Sequence, residues 1–291
     1  MDRKIWLLLS LAVRVADKRV PQTGRHCRFD DRLIVRMFLW AAFHDCAPLW
    51  ACDRTHYNTL FRPRQLPSTS QFYRRLNRPR TTALLRAVND YLTERDAPTR
   101  LLFFDGKPLP VGDFSRDPDA RDGYGAGRMQ RGYKLHACGA DDGKILDFQV
   151  LPLNVGEPNT ARQLLSRIPN NCLVLADANY DSNPLYAAVA TRDAQLLTRL
   201  KGQAWSTRRL SEMSLARRTA LAWWRELPQM CEALLQHRDT IERIFSTLTC
   251  TSHGLTVLPS WVRPLPRVQR WVTAKIAIYH ARLRWRKENA A

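Results

Sequence analysis

Three carboxylates in this chain stand where rigid elements could hold them. Asp105 follows four consecutive large apolar residues, Leu101-Leu102-Phe103-Phe104, and precedes Gly106. Asp177 follows a second apolar run, Cys172-Leu173-Val174-Leu175-Ala176. Glu242 lies in a segment whose apolar residues Ile241, Ile244, Phe245 and Leu248 recur at helical spacing. Carboxylates are hard oxygen donors, and Mg²⁺ or Mn²⁺ accepts a few of them together with waters and phosphate oxygens. Two such ions about 4 Å apart can activate a water, stabilise a leaving oxygen and neutralise charge on a phosphoryl group. One bridging carboxylate and one further carboxylate per ion suffice for that site. Asp105 is the expected bridge, with Asp177 and Glu242 each completing one metal. Each residue alone has a plainer reading: an Asp at a strand end can cap a turn, and Arg238 and Glu242 have the i, i+4 spacing of a helix-surface ion pair. The conjunction of all three on successive elements is what favours the metal site.

Other acids compete less well. Asp181 lies beyond the second apolar run and suits a helix N-cap before Asn183. Glu157 and Asp147 are candidate further acids, although Asp147 falls within a strand pattern. His136 alternates onto a strand face and reads as a packed histidine.

The charge balance points to a partner. The chain has 291 residues, with 46 Lys and Arg against 27 Asp and Glu, a formal charge of +19 and a pI near 10.3. Such an excess favours a polyanion, and nucleic acid is the commonest one. Lys201, Arg208, Arg209, Arg217, Arg218 and Arg225 crowd one stretch among Trp205, Trp223 and Trp224, a mixture suited to phosphate contact and base stacking. The C-terminal stretch is again rich in arginine and tryptophan, but Val272, Ile276, Tyr279 and Leu283 recur at core spacing, so its aromatics read as packing. Seven cysteines with no C-x-x-C pair give neither a disulfide framework nor a zinc motif. The run Ile5 to Val13 is too short to span a bilayer and leads into Arg14, Asp17 and Lys18 rather than a cleavage site, so it reads as a buried helix of a cytosolic protein with no membrane role.

The elements that must position the acids follow from periodicity. Residues 1–97 read as helical. Ser68-Thr69-Ser70 offers N-caps for a short helix carrying Arg74 and Arg75, compatible with a helix-turn-helix. Asn77 to Thr81 reads as a break before a helix from Ala83 to Leu92. Residues 98–291 read as the second region. Its strand at 101–104 ends at Asp105, and a polar loop covers Gly112 to Gln130. A hairpin follows, Tyr133–Cys138 with Ile145–Val150 about the turn Asp141-Asp142-Gly143-Lys144. Helices and strands then alternate: helix 158–168, strand 172–176, helix 183–190, strand 194–198, and helices at 214–225, 238–250 and 268–286. Three sequential strands followed by alternating helices and strands predict an α/β, RNase H-like mixed sheet flanked by helices, with a helical N-terminal domain. Adjacent central strands of that sheet would bring Asp105 and Asp177 together, with Glu242 presented by a late helix.

Local stretches also resemble a known family, the DDE transposases of bacterial insertion sequences, in the broad group that includes the IS4 and IS5 families. Phe103-Phe104-Asp105-Gly106-Lys107-Pro108-Leu109-Pro110 is similar to the block around the first catalytic Asp, and Arg131-Gly132-Tyr133-Lys134-Leu135-His136 to the strand after it. Leu175-Ala176-Asp177-Ala178-Asn179-Tyr180 resembles the second block, and Arg238 to Leu248, with Arg four residues before Glu242, resembles the third. Leu235 stands where the family has Tyr, and Thr249 where it has Lys. The resemblance implies cleavage at an element's terminal repeats and transfer of the freed 3′-OH strand into target DNA. It further implies Mg²⁺ or Mn²⁺ as cofactor, a homodimer in a synaptic complex, and a place in the bacterial cytoplasm with the nucleoid. Arg74, Arg75, Arg131, Lys134, Lys201 and Arg238 are the expected DNA contacts. The alternatives are a decayed transposase that only binds DNA and a metal-dependent nuclease without strand transfer.

Overall fold

Helices open the chain, as the first 95 residues predict. The computed structural model describes residues 2–22, 28–94, 99–112, 115–125, 127–201 and 212–290. Two units divide it, Met1–Glu94 with Leu248–Ala291, and Arg95–Thr247. The first holds α1 (Asp2–Arg19), α2 (Asp31–Phe43), α3 (Thr69–Leu76) and α4 (Pro79–Thr93). The second holds α5 (Glu157–Gln163), α6 (Asn183–Ala190), α7 (Leu215–Glu226), α8 (Pro228–Gln236) and most of α9 (Asp239–Cys250), and the C-terminal α10 (Leu265–Ala290) returns to the first. The sheet-bearing unit begins at Arg95. The basic C-terminal helix, however, does not extend the sheet-bearing unit: it packs on α1, α2 and α4. The reason is its burial on every side through residues 271–282, which a lone surface helix cannot supply.

In the first unit, α1 buries Ile5, Trp6, Leu9, Ala12, Val13 and Ala16 on one stripe. No helix among the described residues is long and apolar enough to cross a membrane. A capping box starts α3, where Ser68 accepts from the Gln71 N–H and the Gln71 side chain accepts from the Ser68 N–H. The helix α4 starts at Pro79 rather than Ala83, because a proline at the first helical position gives up only an N–H that has no helical partner. Residues 44–68 separate α2 from α3, longer than the turn of about 3–4 residues that joins the helices of a helix-turn-helix. Arg75 turns inward. Its guanidinium pairs with Asp31 at 2.7 Å, and Arg80 bridges Asp31 at 3.0 Å and Asp17 at 2.7 Å. Arg74 on the same helix stays exposed.

Six strands form one mixed sheet in the second unit: β1 (Leu101–Pro110), β2 (Arg121–Gly125), β3 (Arg128–Ala140), β4 (Ile145–Pro152), β5 (Leu173–Ala176) and β6 (Gln195–Thr198). Its core order is β4-β3-β1-β5-β6, with β1, β3 and β4 antiparallel and β5 and β6 parallel to β1. This is the RNase H-like arrangement, with helices against the sheet. The β3–β4 hairpin turns at the Asp-Gly signal, with Gly143 at a φ of 86°.

Two expectations fail locally. β1 does not stop at Asp105 but runs on to Pro110, antiparallel to β3 throughout, so Gly106 is a strand residue and not a turn. Part of the expected loop 112–130 is also strand: β2 pairs with the start of β3. Glycines mask this ribbon in the sequence, yet Gly123 is required there, since a Cβ would stand 2.9 Å from the Leu153 backbone.

Asp31 is the sole carboxylate contacting both Arg75 and Arg80 among the described ion pairs, and all three side chains are nearly buried. Asp31→Ala leaves two confined guanidiniums with one carboxylate fewer, so it should destabilise the protein by about 3 kcal/mol. Urea unfolding of the variant against wild type measures this, and a loss under about 1 kcal/mol would show that the network is solvated.

Candidate active site

The register of the sheet sets the first two acids side by side. β1 and β5 pair Leu101 with Leu173, Leu102 with Val174 and Phe103 with Leu175. Two residues further along each strand direction come Asp105 and Asp177, in one row and on one face, because side chains alternate with a period of two. The pairing of β1 with β5 stops before that row, so the acids stand where the two strands part. Asp177 follows the carboxyl end of β5, the end at which open α/β sheets bind ligands. Leu102, Phe104, Val174 and Ala176 point the other way, into a core with Leu164, Tyr180 and Tyr186. The face of Phe103 and Asp105 meets α9: a Cβ at Gly139, which pairs with Phe103, would lie 2.5 Å from Ile241 and 3.0 Å from Ile244. That glycine lets the helix seat on the sheet.

Asp105 is the electrostatic centre. Burial, more than any other influence, pushes its pKa up from 3.8 to about 6. The Gly106 N–H, donating to Oδ1 at 2.8 Å, opposes this, as does the Arg238 charge, while Asp177 and Glu157 add to it. Asp177 caps the short 3-10 turn Ala178–Tyr180, its Oδ1 accepting the Asn179 N–H at 2.7 Å. Tyr180, buried against Phe104 with ring centroids 6.0 Å apart, has its pKa raised by burial and by the charges of Glu157, Asp105 and Asp177. Asp105, Asp177, Glu157 and Arg238 therefore share one field.

Glu242 is not among the main charges acting on Asp105. It is exposed on α9 and lines a groove with Ala233, Gln236, His237, Asp239 and Arg243. The charges acting on Asp105 come from Arg238, Asp177 and Glu157. Among the described residues no group of three or more His, Cys, Asp or Glu side chains is arranged to hold a metal ion. Asp177 and Arg238, the latter one helical turn before Glu242, are among the charges felt at Asp105. No Arg238–Glu242 ion pair occurs among the described residues either, so the plain surface-pair reading of that spacing is not what the structure shows.

A hard divalent ion fits the chemistry of the donors that do converge. Asp105 is a desolvated carboxylate with a single hydrogen bond among the described residues, beside a second carboxylate. Such a pair is relieved by a cation, and Mg²⁺ commonly takes one or two carboxylates with waters and phosphate oxygens completing its shell.

The expected DNA-contacting cations are differently placed. Lys134 is nearly buried and pairs with Glu157 at 2.8 Å, and Arg131 pairs with Asp122 at 3.3 Å. Arg75 is held by Asp31, as described. Lys201 is exposed, with Nζ donating to Asn179 Oδ1 at 2.9 Å. Arg208, Arg209 and Trp205 lie outside the described residues. Asp181 is not a helix cap but a fully buried partner of Arg217 at 2.9 Å. His136 is buried, its pKa lowered to about 4 first by burial and then by Lys134, so it stays neutral.

Glu157, a candidate further acid in the sequence, lies close enough to act on Asp105. Gly106 makes room for it: a Cβ there would meet Lys134 Cδ at 2.8 Å and Glu157 Oε1 at 3.1 Å.

Among solved structures, the chain is similar to the piggyBac transposase in a synaptic complex with hairpin DNA, at 10% identity over 98% of this chain and 74% of that one, with a TM-score of 0.48. It is also similar to a simian T-cell lymphotropic virus intasome in complex with the PP2A regulatory subunit B56 gamma, at 13% identity over 68% and 66%, with a TM-score of 0.22. No curated protein matches the sequence. Residues 96–257 match the transposase DDE domain as a family, a span that takes in Asp105, Asp177 and Glu242, and on that match this chain belongs to the DDE transposases.

Proposed function

We propose that this chain cuts phosphodiester bonds at the ends of a bacterial insertion sequence and transfers the freed 3′-OH strand into target DNA. The observation that carries the reading is the row formed by Asp105 and Asp177 where β1 and β5 part, with Arg238 beside it. Asp105 and Asp177 would hold Mg²⁺ or Mn²⁺, and Glu242 would complete the set from the next turn of α9. The ion, when bound, supplies Lewis-acid activation of the attacking oxygen and neutralises phosphoryl charge. The Arg238 guanidinium offsets the negative field of the acids and can hold a phosphate oxygen. Lys107 shares the face of Asp105, with its ammonium 5.9 Å from the Phe245 ring centroid, and offers a second cation to a DNA strand lying there. Strand alternation holds Asp105 and Lys107 on one face, so this part of the site would need little reorganisation before reaction. The surplus of basic residues supports double-stranded DNA as partner, with element ends and target held by a homodimer in a synaptic complex.

One observation favours a second reading. Glu242 stands exposed and apart, and Leu235 and Thr249 replace residues usual in the family, as in a decayed enzyme that still binds element ends. Cleavage of a terminal-repeat duplex with Mg²⁺ or Mn²⁺ decides between them, and a joined donor–target product separates transposition from plain nuclease action. Asp105→Asn, Asp177→Asn and Glu242→Gln should each lower cleavage by at least about 10³-fold while DNA retention in a mobility-shift assay stays near wild type. Cleavage within about tenfold of wild type by any one of them removes that residue from the site.

The metal-free protein carries a stability cost at Asp105. Folding raises its pKa from 3.8 to about 6, so the native state keeps a proton that the unfolded chain gives up between those values. Stability therefore falls as pH rises through that window. Asp105→Asn removes the penalty and should make the protein more stable by about 2–3 kcal/mol at pH 8, with the gain vanishing at pH 4. Urea unfolding in chelator at both pH values tests it, and an equal difference at pH 4 and pH 8 would refute the linkage.

A further inference from the structure

Asn179 follows Asp177 by two residues and satisfies both of its oxygens. Its N–H donates to Oδ1 at 2.7 Å, and its side-chain Nδ2 donates to Oδ2 at 3.2 Å. The backbone half of this arrangement is what any residue in such a turn provides. The side-chain half requires an amide. That amide is itself oriented, because its oxygen accepts from Lys201 Nζ at 2.9 Å. Lys201 is anchored in turn through its N–H to Asp181 Oδ2 at 2.8 Å, and the fully buried Asp181 is held by Arg217 at 2.9 Å. The turn after β5 is thereby tied to the segment leaving β6 by way of a buried carboxylate. Lys201 remains exposed, and its ammonium has three donors of which Asn179 takes one.

We propose that Asn179 is a positioning residue that fixes the Asp177 carboxylate for a divalent ion, and that Lys201 couples this orientation to a DNA phosphate. The proposal rests on the reading of Asp177 as a metal ligand. A carboxylate oxygen that accepts one hydrogen bond keeps a further lone-pair direction, so Asn179 orients Asp177 without occupying it. Partners that orient a ligating carboxylate typically change metal affinity by about 10–100-fold. A phosphate on the free donors of Lys201 would steady the ammonium, the amide and the carboxylate in sequence. The ion then binds more tightly when DNA is present, and by reciprocity DNA binds more tightly when the ion is present.

The test is Mn²⁺ binding to the full chain, read from the electron paramagnetic resonance of free Mn²⁺, with and without a duplex oligonucleotide. Thermal melting of each variant monitors its fold. Asn179→Ala should weaken Mn²⁺ binding about tenfold or more in both conditions. Lys201→Met, at an exposed side chain, should abolish the tightening that DNA produces in wild type. Asp177→Ala is the reference. If it loses Mn²⁺ while Asn179→Ala binds as wild type, the positioning role is wrong and Asp177 stands as a ligand. If Asp177→Ala binds as wild type, the metal assignment itself is wrong. Should Asn179→Ala not fold, Lys201→Met decides alone, since unchanged tightening by DNA overturns the coupling.

Discussion

The short parallel pairing of β1 with β5 is the constraint on which the site depends. It spans Leu101 to Phe103 on one strand and Leu173 to Leu175 on the other, and it fixes the register in which Asp105 and Asp177 share a row. A slip of one residue would turn Asp177 onto the opposite face, toward Tyr180 and Tyr186, where no cation could reach it from the side of α9. The apolar runs before each Asp hold the register, because Leu102, Phe104, Val174 and Ala176 must all face the same core. The same parity leaves Phe103, Leu175 and the two acids to the other face. Core packing and acid placement are thus one decision, taken by alternation along two strands.

Placing a carboxylate there works against stability. Asp105 is buried, faces a second acid, and receives one N–H and the field of Arg238 in return. In a structural cluster the acid is instead matched by its own partners, as at Asp31, which receives two arginines and the Thr81 hydroxyl. The two clusters show the same kind of chemistry settled in opposite directions. One is neutralised internally and holds helices together; the other is left short of positive charge and fits an external cation.

The legible parts of the sequence were those where local chemistry and fold agree. The two apolar runs, the Asp-Gly turn, the Ser68 cap and the helical spacing of α9 each carry a signal within a few residues, and so did the order of elements. What escaped was decided by distant partners. Gly123 in β2 reads as loop because its purpose is the approach of Leu153, thirty residues away. Arg75 and Lys134 read as surface cations because nothing near them in sequence names Asp31 or Glu157. Glu242 was legible as a helix residue four past an arginine, but periodicity fixes only its face, not how far its side chain reaches.

These internal partners also bear on what the charge excess means. A formal +19 invites the view that every arginine awaits a polyanion. Yet Arg75 and Arg80 bind Asp31 and Asp17, Lys134 binds Glu157, Arg217 binds Asp181, and the buried Lys275 donates to the Ala42 and His253 carbonyls. Each of the ion pairs consumes an acid as well as a base, so the net excess survives while the location of its free members changes. Arg74 and Lys201, exposed where several of their neighbours are committed, are better candidates for phosphate than a count of basic residues in sequence would select. Of the two, only Lys201 is joined by hydrogen bonds to the turn that carries Asp177, which makes the basic surface and the carboxylate row parts of one construction.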